Sequence, residues 1–343
     1  MRRLTDDIND AQRADELQAT CERLQRQLAK AKAKTGDLVE AVERAARDAA
    51  VIVGKPAAVK LLKTHKAGDG DPEWAVLHSC DWQLGKRCGV PGDDDYYDTD
   101  VTIERVRYVV ERVRSITALQ RKDHPVVGCA VLFGGDMLEG VSIFPGNAFE
   151  VDSSAYAMVM AASSLMAESI LTLLQDFEEV RVYSTSGNHG RLGRKGDMNR
   201  EDNLDLIAYA LARAHLANQP RVKWDENLHW YDHIRIGNFS ALLVHGDQVK
   251  GWSGIPAAGL ARKATAWSSS LPVEWSDLFL GHYHQRMILT VPNGAQVRMT
   301  GALESGSQYA AEMMAAHGRP NQSLVFVHPE RGRVTGEYPI WLD

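Results

Sequence analysis

The chain has 343 residues, 44% of them hydrophobic and 24% charged, and a formal net charge of −6. Those values belong to a folded protein with a sizeable core, and they exclude a wholly disordered chain, a collagen-like fibre and a disulfide miniprotein. No apolar run is expected to reach the roughly 18 residues of a bilayer span, and Met1-Arg2-Arg3 leads into a polar, acidic stretch rather than an apolar leader. Cys21, Cys80, Cys88 and Cys129 show no paired spacing, which fits a reducing compartment. The expectation is a cytoplasmic protein without a membrane partner. The acidic balance speaks against coating by nucleic acid through bulk charge but leaves room for a local basic track.

Residues 1–53 form the first predicted element. Positions Ala14, Cys21, Leu28, Thr35, Val42 and Ala49 alternate with Leu17, Leu24, Ala31, Leu38, Ala45 and Ile52 in a heptad pattern. All but Thr35 are apolar, the pattern of a long helix or coiled coil that would join copies of the chain or a partner protein. A long amphipathic helix on its own domain is the alternative, and Gly36 is its natural weak point. Residues 54–73, rich in Gly, Pro, Lys and Asp, read as a linker.

From residue 74 to 343 short apolar strands alternate with helices. Strands are expected at Trp74–Cys80, Val126–Phe133 and Val180–Ser184, and helices at Val101–Gln120, Ser153–Gln175 and Glu201–Ala217. Thr99 or Asp100 is the expected cap of the first helix. Strands then dominate: Leu228–Ile236, Phe239–His245, Leu278–Gly281, Met287–Val291, Val297–Thr300, Leu324–His328 and Arg333–Trp341. The alternation indicates an α/β architecture with its site at the carboxyl ends of strands.

Five clusters follow predicted strands. They are Asp81-Trp82-Gln83-Leu84-Gly85, Gly134-Gly135-Asp136, Gly187-Asn188-His189-Gly190, His245-Gly246-Asp247 and Gly281-His282-Tyr283-His284. Singly each is weak: an Asp after a strand is ordinarily a turn former, and a loop His is ordinarily solvated. Together they place carboxylates, an amide and imidazoles on one rim of a sheet, the donor set of a divalent transition metal.

These clusters, spanning residues 74–300, resemble the calcineurin-like metallophosphoesterase signature D-x-H, G-D, G-N-H-[D/E], H, G-H-x-H. The stretch His78 to Lys86 resembles the first motif of SbcD-type DNA repair exonucleases, and Gly135-Asp136-Met137-Leu138-Glu139-Gly140 is similar to phosphoesterases of bacteriophages and their hosts. The resemblance implies a β-sandwich of two mixed sheets flanked by helices. It also implies two divalent ions about 3.5 Å apart that activate a hydroxide for in-line attack. Metal one would take Asp81, Gln83, the bridging Asp136 and His284; metal two would take Asp136, Asn188, His245 and His282. His189 would assist the leaving group. Mn²⁺ is the expected ion, with Mg²⁺, Fe²⁺ or Zn²⁺ as alternatives. Two positions depart from the signature. Gln83 stands where the family has His, and it would ligate through its amide oxygen or hold only a water. Gly190 stands where the family has Asp or Glu, so another group, Asp247 or Glu139, must orient His189.

The resemblance gives phosphoester hydrolysis, and the basic loops suggest the substrate. Lys86 and Arg87 follow the first motif, Arg191, Arg194, Lys195 and Arg200 the third, and Lys250, Arg262 and Lys263 the fourth. They are expected to line the mouth of the site and contact backbone phosphates, with Lys86, Arg87, Arg191, Arg194 and Lys195 as the leading substrate contacts. Trp82, Trp252, Trp267 and Tyr283 are either packing residues or base-stacking platforms. The acidic loop from Asp93 to Asp98 is read as a solvated loop. The leading expectation is a DNA nuclease of exonuclease type. The alternatives are a hydrolase of a small phosphoester or phosphoprotein, and an assembly protein with a vestigial metal site.

Overall fold

The computed structural model describes residues 59, 68–93, 95–141, 143, 147–193, 196, 198–250, 256–304 and 318–342. The helix expected over 1–53, most of the linker, Asp94, Arg194, Lys195 and Trp252 lie outside them. The described residues all fall within one unit, Ala50–Asp343.

That unit is built on two mixed sheets. The first has strand order β11-β10-β1-β2-β3-β4 and the second β5-β6-β7-β9-β8. In the first, β1 (Glu73–Ser79), β2 (Val126–Phe133), β3 (Glu179–Ser184) and β4 (Val222–Trp224) run parallel. Two antiparallel strands, β10 (Asn321–His328) and β11 (Arg333–Trp341), extend it on the β1 side. Parallel neighbours need crossovers, and helices supply them. Helix α1 (Thr99–Gln120) joins β1 to β2, α2 (Ala155–Leu173) joins β2 to β3, and α3 (Leu204–His215) joins β3 to β4. In the second sheet β6 (Phe239–Val244), β7 (Asp277–Leu280) and β9 (Gln296–Met299) are parallel. Antiparallel β5 (Tyr231–Ile236) and β8 (Met287–Thr290) are its edges.

The sheets meet through alternate residues of each. Val76, Ala130, Leu132, Val325 and Val327 from the first interlock with Ile234, Phe239, Ala241, Leu243 and Phe279 from the second. The intervening Ala75, Leu77, Cys129 and Val131 are buried as well, so β1 and β2 are covered on both faces, as parallel strands require. The opposite face of the second sheet, with Leu242, Val244, Leu278 and Leu280, packs on Leu260, Ala264 and Trp267 of α4 (Ala257–Ser270).

Several expectations are corrected. The cap of α1 is Asp98, whose carboxylate accepts from Val101 N at 2.9 Å; Thr99 instead bonds Asp152. Helix α2 is long and apolar enough, by length and composition, to cross a membrane. Ten of its residues are buried within the fold, including Met158, Ala162, Met166 and Ile170, the property of a core helix. Strand β4 and helix α4 were not anticipated. Three residues are too few to display alternation, and in α4 the large apolar side chains are only Leu260 and Trp267, set among Ala, Ser, Thr, Gly, Arg and Lys.

Candidate metal centre

Every cluster lies just beyond the carboxyl end of a parallel strand. Asp81 and Gln83 follow β1, Asp136 follows β2, and Asn188 and His189 follow β3. From the second sheet, His245 follows β6, and His282 and His284 follow β7. Direct contacts across the sandwich hold them together. His245 Nδ1 donates to Gly134 O at 2.9 Å, and His282 N donates to both Asp81 carboxylate oxygens at 2.9–3.1 Å.

The backbone at these positions is unusual. Among the described residues, the non-glycine residues with positive φ are Asp81, Gln83, Asp136, His282 and His284, at 45–70°. A left-handed conformation costs an L-residue ~1–2 kcal/mol, and such positions concentrate where side chains must be aimed at a ligand. Here all five are expected metal ligands. At Gly187 a Cβ would come 2.0 Å from Asp136 Oδ1, so only glycine lets the third loop close over that carboxylate.

The half of the site around Asp136 fits a divalent cation. Ligand atoms of Asp136, His245 and His282 lie within 4.8 Å of one another. Asn188 Oδ1 is 3.0 Å from His245 Nε2, and so is Asp136 Oδ2. That Asp136 oxygen is buried without a hydrogen bond of good direction. The Gly134 carbonyl takes the Nδ1 proton of His245, so Nε2 is the atom that faces the centre. Burial alone would raise the Asp136 pKa, but His245 and His189 hold it well below the usual carboxylate range. Burial likewise disfavours charge on His245, yet Asp136 outweighs it and raises the imidazole to about 10. His282 is pushed down to about 4 by burial and by His245. A cation bound at this place would require His245 Nε2 without its proton.

The other half differs. His284 Nε2 is 3.6 Å from Asp81 Oδ1 and 3.2 Å from Gln83 Nε2, and its Nδ1 donates to Glu304 Oε1 at 2.6 Å. Lys86 is buried, forms an ion pair with Glu304, and donates to Gln83 Oε1 at 3.2 Å. This corrects the expectation that Lys86 faces substrate.

His189 stands beside Asp136, with its N–H on Asp136 Oδ1 at 2.7 Å and its Nε2 4.0 Å from Oδ2. Glu139 Oε2 lies 3.1 Å from its Nδ1 as an ion pair without a well-directed hydrogen bond, and Glu139 is itself buried and held by Asn147 Nδ2 at 2.9 Å. Asp247 instead pairs with Arg191. A Cβ at Gly190 would come 2.3 Å from Asn203 Oδ1, so that position has no room for an acid. Burial works against a proton on His189, but Asp136 and Glu139 outweigh it and raise its pKa to about 9.

Two residues that brace the candidate site escaped the sequence. Asp205, in the first turn of α3, accepts from Asp136 N, Met137 N and Gly187 N at 2.8–3.0 Å, tying the second and third loops together. Glu304 anchors Lys86 and His284. Neither sits in a patterned cluster, and only the fold makes them neighbours of one. Cys80 is buried, and its thiol donates to Asp81 Oδ2 at 2.8 Å. Burial pushes that thiol far up, so it is no nucleophile.

Of the other expected substrate contacts, Arg87 is exposed. Arg191 lines a cavity of about 210 Å³ with Ser186, Asn199, Arg200, Asn203 and Asp247. Trp82, Trp267 and Tyr283 are packing residues: all three are buried, and Trp82 sits edge-on to Phe133.

No family model and no curated protein matches the chain. Its fold is similar to solved structures at low identity. Vps29 complexed with zinc from Entamoeba histolytica is 16% identical at TM-score 0.35, over 78% of this chain and 99% of that one. A dimetal phosphatase from Danio rerio is 12% identical at TM-score 0.42, over 80% and 100%. A predicted phosphoesterase from Streptococcus pneumoniae is 10% identical at TM-score 0.32, over 78% and 98%.

Proposed function

We propose that this chain is a metal-dependent phosphoester hydrolase of the calcineurin-like type. The observation that carries the reading is the convergence of Asp136, Asn188, His245 and His282, from loops of two sheets, around one buried carboxylate oxygen without a well-directed partner. A bound divalent cation supplies Lewis acidity toward a phosphate oxygen and an activated water. The protein's own groups do the rest. Asp136 and His245 orient that charge, Asp205 fixes the backbone of Asp136, and His189, held by Glu139, carries a proton for the departing oxygen. General acid assistance of this kind contributes about 10²–10⁴-fold.

The finer proposal is a nuclease acting on DNA. The motif resemblance, the exposed Arg87 and the polar cavity beside the third loop support it. Hydrolysis of a small phosphoester is favoured by a different observation: Lys86 is engaged with Glu304 and Arg191 with Asp247, which leaves fewer open cations for a long polyanion. We also propose that residues 1–53 assemble the chain with itself or a partner.

The test uses the full chain stripped by chelator and titrated with Mn²⁺, Mg²⁺ or Zn²⁺. Single- and double-stranded DNA are assayed beside a chromogenic phosphodiester and a phosphomonoester, with Asp136→Ala as control. Metal-dependent turnover of any of these, lost in Asp136→Ala, is the expected result, and DNA cleavage selects the nuclease reading. Absence of both bound metal and turnover would leave the assembly reading in its place.

A further inference from the structure

The two halves of the site are not equivalent. Around Asp136 the ligand atoms converge, whereas around Asp81 the corresponding place is wired by side chains. Lys86 is the key. A lysine ammonium only donates, so the oxygen of Gln83 must be the atom that faces it at 3.2 Å. The amide nitrogen then points at His284 Nε2, 3.2 Å away. A cation at this position would need the Gln83 oxygen and the His284 nitrogen directed at itself. The first is held by Lys86, and the second is covered by the amide N–H₂.

Charge acts in the same direction. Lys86 is buried with its ammonium against Glu304, so the carboxylate charge beside His284 and Gln83 is already answered by a cation of the chain itself. Glu304 holds both Lys86 and the far side of His284, which keeps the arrangement rigid. Among the described residues the converging His/Cys/Asp/Glu group is Asp136, His245 and His282, without Asp81 or His284.

We infer that the centre holds one tightly bound divalent cation, at Asp136, Asn188, His245 and His282, and that the Lys86–Gln83 pair takes the place of a second ion beside Asp81 and His284. The inference rests on the metal-dependent reading above. It assigns Lys86 a positioning and charge-supplying role within the site.

Metal stoichiometry tests it. The metal-free full chain is titrated with Mn²⁺ by calorimetry, and bound Mn²⁺ is examined by electron paramagnetic resonance. One equivalent is expected to bind tightly, with any second weaker by at least about 100-fold, and to give the spectrum of an isolated ion. Gln83→His combined with Lys86→Met and Glu304→Gln restores an imidazole and removes the buried charge pair. That variant is expected to take up a second equivalent and show the exchange-coupled spectrum of a Mn²⁺ pair. Two equivalents of similar affinity in the unaltered chain would overturn the inference and leave the metal-dependent reading standing. No bound metal would overturn both. One equivalent in the folded triple variant would remove Lys86 and Gln83 as the cause. The unaltered chain decides the stoichiometry by itself if the triple variant does not fold.

Discussion

At the scale of single residues, the proposed chemistry falls to His189 and Glu139. Their pairing resolves the question that Gly190 raises. The motif's usual acid would collide with Asn203, and a carboxylate from the second loop reaches the imidazole instead. His189→Asn is expected to lower kcat by about 10²–10⁴-fold while calorimetry finds metal affinity unchanged. Unchanged turnover would remove His189 from its role. Because Glu139 is one of the anions that raise the His189 pKa to about 9, Glu139→Gln lowers it. An acid that must be protonated loses activity as pH rises through its pKa. The alkaline limb of kcat therefore moves to lower pH in Glu139→Gln, and an unshifted limb would refute the assignment.

Elements set these residues in place, and two polar groups at element ends show how. Asp205 stands at the start of α3, where its charge suits the helix dipole, and its carboxylate takes three backbone N–H groups from two loops. Asparagine offers one oxygen, so Asp205→Asn strands at least one buried donor, at about 1–3 kcal/mol. A lower urea midpoint together with weaker Mn²⁺ binding is expected. A lower midpoint with full metal affinity would mean that Asp205 only stabilises the fold. His78, on β1, is buried edge-on to Phe279, and neither ring nitrogen has a hydrogen-bond partner among the described residues. Burial lowers its pKa to about 4. The unfolded chain therefore binds the extra proton first, and stability falls as pH drops from about 6.5 to about 4, by up to about 3 kcal/mol from this group. Replacing it, as in His78→Leu, is expected to remove that part of the acid slope in urea midpoints measured across pH. An identical slope in both proteins would refute it.

For the whole molecule, the site is a seam. Asp136 and Asn188 belong to loops of the first sheet, and His245 and His282 to loops of the second, so one cation would tie both layers together. Metal present at 100 times its Kd is then expected to stabilise the chain by about 2.7 kcal/mol. The check is the urea midpoint with and without Mn²⁺, with Asp136→Ala abolishing the gain. A midpoint indifferent to metal in the unaltered chain would count against the clamp.

Much of this was legible in the residues themselves. The strands β2 and β11 are found at the expected residues, and the clusters after β1, β2, β3, β6 and β7 are found where strands end, because period-two apolar runs and their Gly-rich breaks are local signals. What each cluster would touch was not local. The burial of Lys86 on Glu304, the replacement of the missing acid by Glu139 and the anchoring of Asp136 by Asp205 join positions 50 to 218 residues apart. Chain order alone therefore offered the candidate ligands. Only the packing of one sheet on the other decided which of them converge on one another and which face a lysine, since distance in the fold, and not spacing along the chain, sets those energies.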